Sequence, residues 1–226
     1  SPMLVMENLY MADTTNAGFN ADAKGYVGST GSYQRGFGPG TCLASAYANG
    51  GAGYGGSGGR GWYSSGWSEG GPAYGISNAP VDPGSSSGQH QGTPGGAGGG
   101  IVRLVARRWF YENGTISANG ALGNAGGAGS GGAVYIRCKH FRGNGIIRAV
   151  GSDGRNGEPG GGGGGGGGRI AIYRTTDAWT GTPIVVPTSV AGGTGGAGGG
   201  YTGTNGTPGT VFWAWVQDAG SVFVVR

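Results

Sequence analysis

Nine consecutive glycines, Gly160–Gly168, limit what this chain can become more than any other feature. A bare backbone run has no side chain to bury, and in a helix each glycine costs about 0.5–1 kcal/mol relative to alanine. Its N–H and C=O groups must still find partners wherever water is excluded. Related stretches occur at Gly92–Gly100, Gly126–Gly132 and Gly192–Gly200, and glycine supplies 61 of 226 residues. One arrangement meets the backbone requirement. Glycine segments take the extended helix with about three residues per turn, which has no internal hydrogen bonds, and several such helices lie side by side, bonding to one another. The sequence therefore predicts polyglycine-II-type layers. The unbroken run excludes collagen, which needs glycine at every third position.

The segments that follow the glycine blocks carry a second pattern. Ile101–Ala106, Ala133–Cys138 and Arg169–Arg174 each alternate apolar and polar residues with period two, as half-buried strands do. The predicted inward positions are Val102, Leu104 and Ala106, then Val134, Ile136 and Cys138, then Ile170 and Ile172. The blocks begin 32 and then 36 residues apart, and a fourth, Val211–Val216, follows Gly209. Shorter second strands align as well, with Ile116 matching Ile147 and Ala118 matching Ala149; Leu4–Met11 followed by Gly18–Asp22 has the same form. Repeats of this size bury their apolar faces only by stacking on one another. The expectation is an all-β fold of parallel β-solenoid-like repeats with polyglycine-II-type glycine-rich layers. It forms a single module over 1–226, with repeat strands near 4–24, 101–120, 133–151, 169–191 and 210–226 and a glycine- and aromatic-rich insertion over 25–100.

Three stretches resemble a known pattern: Ala97–Ala106, Asn113–Gly120, and the Gly160–Gly168 run with Arg169-Ile170-Ala171-Ile172-Tyr173. Together with Lys24-Gly25-Tyr26, Pro72-Ala73-Tyr74-Gly75 and Pro83-Gly84-Ser85, they resemble the glycine-rich repeat domain of large secreted bacterial surface proteins over roughly residues 4–175. In composition and architecture the chain is also similar to phage tail-fibre adhesins built from packed polyglycine helices. Both resemblances imply an extracellular, β-rich module, located in secreted material, at the cell surface or at a fibre tip.

Catalytic constellations are scarce. The two histidines are His90 and His140, and the two cysteines, Cys42 and Cys138, are too few for a disulfide framework. Cys138 and His140 stand two apart on a strand and are expected on one side, with His140 at the turn and Cys138 as a core thiol. Asp13 with Asp22, or Asp153 with Glu158, would have to meet through folding to make a carboxylate pair. Matches to Gly-x-Gly-x-x-Gly open no helix and carry no weight in so glycine-rich a chain. The expectation is a non-enzymatic protein without metal or cofactor.

Five aromatic residues of the insertion, Tyr54, Trp62, Tyr63, Trp67 and Tyr74, sit among glycines and serines rather than in apolar runs. Rings presented this way suit stacking on sugar faces, and they also suit capping of glycine layers. They are the candidate ligand-binding residues; Trp213 and Trp215 alternate on a strand and are expected in core or interface. Charge adds a second clue. Residues 101–174 hold nine arginines and Lys139 against Glu112, Asp153 and Glu158, a net of +7, while the flanking segments are net acidic. The expected function is an adhesin or fibre-tip module binding a surface polysaccharide or lipopolysaccharide-type glycan; the expected partners also include further copies of the chain, as a trimeric fibre or filament, with no nucleic acid and no membrane insertion. The alternatives are a structural spacer or filament subunit and, further off, a carbohydrate-active enzyme.

Overall fold

The computed structural model describes residues 2–12, 17–29, 35–42, 50–63, 66–88, 94–123, 126–157, 160–176 and 188–216, without the side chains of Tyr63 and Thr176. His90, Asp13 and Glu158 lie outside the described residues. Among the described residues there is no helix. The strands are β1 (Leu4–Met6), β2 (Leu9–Met11), β3 (Gly18–Asn20), β4 (Gly61–Tyr63), β5 (Gly66–Ser68), β6 (Ile101–Glu112), β7 (Thr115–Ser117), β8 (Ala133–Arg142), β9 (Ile146–Arg148), β10 (Arg169–Thr176), β11 (Thr188–Ser189), β12 (Ala197–Gly198), β13 (Tyr201–Thr202) and β14 (Thr210–Trp215). The fold is all-β and largely parallel.

Period-two patterning after each glycine block becomes one parallel sheet, in the order β1-β6-β8-β10-β14, with β2 also on β6. Leu104 pairs with Ile136, Ile136 with Ile172, and Ile172 with Trp213, so one row crosses the sheet, buried at Leu104, Ile136 and Ile172 and partly buried at Trp213. The neighbouring row runs Val102, Val134, Ile170, Val211. The short second strands form another parallel sheet, β11-β9-β7-β3, in which Ile116 pairs with Ile147. Leu104, Ile136 and Ile172 from the first sheet and Ile116 and Ile147 from the second belong to one apolar core.

The long strands extend well beyond the predicted six residues. Between Ala106 and Trp109, β6 takes three steps where β8 takes two, from Cys138 to His140. A bulge of this kind bends the strand and re-aims side chains. Beyond it Phe110 and Phe141 are buried, with rings 5.4 Å apart. His140 therefore does not share a side with Cys138 and is not at a turn. It lies within β8, stacked on Trp109 at 4.2 Å. The edge strand breaks at the same level, where Arg108 N–H donates to the Glu7 carbonyl (2.9 Å) and Trp109 N–H to Asn8 Oδ1 (3.2 Å). Cys42 and Cys138 are buried free thiols.

The glycine run preceding β10 is enclosed by other chain segments. A Cβ placed on Gly161, Gly164 or Gly167 would meet the carbonyl oxygens of Gly196, Gly193 and Val190 at 2.0, 2.1 and 1.9 Å. One on Gly162, Gly165 or Gly168 would meet those of Gly126, Gly129 and Gly132 at 2.1, 2.0 and 2.1 Å. Every third residue thus faces the same neighbour, and no side chain fits. The amides are used in the same rhythm. Gly162, Gly165 and Gly168 donate to the Arg155, Ser152 and Ala149 carbonyls, and Gly164 and Gly167 donate to those of Thr204 and Thr207.

Candidate functional site

Two antiparallel hairpins meet at the start of this run, away from the long sheet. β4 and β5 pair Trp62 with Trp67, so both indoles project from one face of the ribbon. The Trp62 amide donates to the Gly161 carbonyl at 2.8 Å, and Arg60 is tied to Thr204 in both directions, by N–H to Oγ1 (2.7 Å) and by carbonyl from N–H (2.8 Å). The rest of the glycine run, Gly162–Gly168, separates this meeting point from β10. The second hairpin, β12–β13, turns on Gly199 and Gly200, with φ of +55° and +77°. Two successive positive φ values define the two-residue turn that matches the twist of a tight hairpin, and glycine adopts them without steric cost.

The second hairpin delivers Tyr201 to the first. Its ring lies 5.8 Å from that of Trp62 with planes 19° apart, and Trp62 lies 5.2 Å from Trp67 at 59°. Trp67 remains 50% exposed, and the Arg60 guanidinium sits 4.2 Å from its ring centroid. Glu69 holds that guanidinium by an ion pair of 2.9 Å. An exposed pair of this kind adds little stability. Its effect here is to fix the cation over one side of the indole and to leave the site close to neutral.

The remaining candidates are placed elsewhere. The Tyr63 side chain lies outside the described residues. Tyr54 is fully buried, so it offers no ring face to a ligand, and Tyr74 packs against it with centroids 4.9 Å apart. The Tyr74 hydroxyl donates to the Pro83 carbonyl and accepts from Ser85 Oγ at 3.0 Å. Burial pushes both phenols well above their ordinary range. These two rings join the insertion to the base of β10, since Arg169 lies over the Tyr54 ring at 5.6 Å. Trp213 packs on the core edge-on to Phe141 at 5.7 Å, whereas Trp215 is exposed beside Arg174.

Sequence reading missed Tyr201. Three glycines before it, Gly198-Gly199-Gly200, are a hairpin signal when short extended segments flank them. Among the described residues no group of three or more His, Cys, Asp or Glu side chains could hold a metal ion. No protein-family model, curated protein or solved structure matches the chain.

Proposed function

We propose that the chain is a non-enzymatic adhesin or fibre-tip module of an extracellular or cell-surface protein. In this reading Trp62, Trp67 and Tyr201 bind a surface polysaccharide or lipopolysaccharide-type glycan. The scaffold is a β-solenoid whose successive coils contribute one long and one short parallel strand, and whose glycine segments form polyglycine-II layers. Support for the layers comes from the period-three contacts of Gly161–Gly168 and from amides bonded to neighbouring segments rather than within the run. Support for the solenoid comes from the matched order of strands in the two parallel sheets.

The observation that carries the function is the ring trio on paired hairpins, with Trp67 half exposed. Rigid aromatic side chains give large contact area with little loss of side-chain freedom, and stacked saccharide faces suit them. A glycan array probed with the whole chain is expected to return ligands whose binding falls at least tenfold in Trp67→Ala. No bound glycan, or binding indifferent to Trp67→Ala, overturns the reading.

A filament subunit is the second reading, favoured by strand edges that no further strand covers among the described residues. The long sheet ends on β1 and β2 at one side and β14 at the other, with Leu4, Val5 and Tyr10 exposed. Unprotected edges template further strand pairing. Sedimentation that shows concentration-dependent growth, abolished by Val5→Lys, would favour it.

A further inference from the structure

The outer face of the long sheet holds a groove of about 510 Å³ lined by cationic side chains of two adjacent strands, with Arg103 and Arg107 from β6 and Arg137 and Lys139 from β8. No Asp or Glu is among the described residues that line it. Register explains the grouping. Arg137 pairs with Val105, which stands midway between Arg103 and Arg107. Backbone geometry therefore sets Arg103 and Arg137 about 8 Å apart, two residues along and one strand across. Lys139 follows Cys138, the partner of Ala106, so it stands opposite the bulge between Ala106 and Trp109 that contains the exposed Arg107. Arg107 and Arg137 are exposed, and neither forms an ion pair with a described residue.

Like charges on facing strand positions are unfavourable by themselves. Guanidinium forks match carboxylate, sulfate and phosphate groups through paired hydrogen bonds. We infer that this groove is a second binding site, separate from the hairpin rings, which takes an acidic polysaccharide through its anionic groups. Arg107 and Arg137 hold those groups, with Arg103 and Lys139 flanking. The rings at hand favour a saccharide over a single-stranded nucleic acid. Nucleic acids of that kind need open aromatic platforms for their bases. Tyr135 is the aromatic residue lining the groove, and its ring is already covered by Arg103 at 5.5 Å and packed on Tyr173 at 5.6 Å.

The test is calorimetric titration of the whole chain with polygalacturonate, dextran sulfate, neutral dextran and oligothymidylate at two salt concentrations. The expected result is binding of one or both acidic polymers, weakened by salt, and weakened at least tenfold in Arg107→Gln/Arg137→Gln. The charge-matched control Arg148→Gln/Arg155→Gln, at exposed positions away from the groove, is expected to change binding less than threefold. Arg107→Lys/Arg137→Lys keeps the charge and loses the fork, and should weaken binding at least threefold even if the glutamine pair folds poorly. Trp67→Ala should leave acidic-polymer binding intact, so failure of the ring site and failure of the groove are read separately. Four results overturn the proposal: no acidic polymer bound, equal losses in the control pair, full binding in the lysine pair, or oligothymidylate bound as tightly as the acidic polymers.

Discussion

Arg169 grips the carbonyl of Tyr74 with two donors, Nε at 3.0 Å and Nη2 at 2.7 Å. Its third nitrogen, Nη1, donates to Thr210 Oγ1 at 2.9 Å. The first residue of β10 thereby fastens the insertion to the sheet and to the start of β14. Arg169 is buried and Tyr74 partly so, and a substitution removes two charged donors from the Tyr74 carbonyl, at a cost of about 1–3 kcal/mol. Arg169→Met should lower the melting temperature by roughly 3–10 °C for a chain of this size. Arg169→Lys should recover only part of it, because an ammonium cannot reproduce the fork. Full recovery by lysine in a thermal melt would show that charge alone, and not the forked geometry, makes the attachment.

Gly164 is buried among other chain segments, and an added Cβ would stand 2.1 Å from the Gly193 carbonyl oxygen. That obstacle is backbone and cannot rotate aside. Gly164→Ala should therefore destabilise the chain by more than the roughly 1–3 kcal/mol usual for overpacking. Gly164→Val should prevent folding. Thermal melts within a degree of the parent for both would mean that the run is a tether and not a packed layer.

How far the fold could be read depended on what each residue type advertises. The row Leu104, Ile136, Ile172 was legible because period two fixes which residues face inward and each glycine block marks where a strand begins. The second half of β6 was not, since Arg107 and Arg108 interrupt the alternation. Only the bulge, compensated by the edge break at Glu7 and Asn8, lets pairing resume at Trp109. The same shift carried His140 to the opposite side from Cys138. Among the rings, Tyr54 and Trp67 look alike in sequence, one set between Gly53 and Gly55 and the other between Gly66 and Ser68. Segment packing separates them, enclosing one and leaving the other half exposed.

Glu112 ends β6 fully buried, paired in register with Met11. Burial pushes its carboxyl up to about 7, with the Gly114 backbone acting in the opposite direction. In the unfolded chain the group titrates near the ordinary carboxylate value. Below that value it is protonated in both states and carries no penalty. As pH rises toward 7 the unfolded state ionises first, so stability should fall between about pH 4.5 and 7, by an amount on the order of 3 kcal/mol, and then level off. Denaturant unfolding across this range should show the decline, and Glu112→Gln should remove most of it. A decline of equal size in the glutamine variant would assign the pH dependence to other groups.

Tyr201 and Tyr54 should respond in opposite ways. Tyr201 is half-buried on a tight hairpin and is stacked on Trp62, while Tyr54 is closed inside the attachment between insertion and sheet. Truncating a fully buried aromatic costs about 3–5 kcal/mol, so Tyr54→Ala should lower the melting temperature by roughly 10 °C or more. Any loss of glycan binding should then disappear when the assay is run well below that melt. Tyr201→Ala removes a stacked ring without opening the core, and its melt should stay within a few degrees of the parent. Its glycan affinity should nevertheless drop about fivefold to tenfold, the scale of one aromatic contact of about 1 kcal/mol. The gly-gly turn keeps the hairpin in place in this variant, so the loss reports the ring itself. If Tyr201→Ala binds like the parent while Trp67→Ala does not, the site is confined to the β4–β5 ribbon, and the second hairpin serves only to brace Trp62.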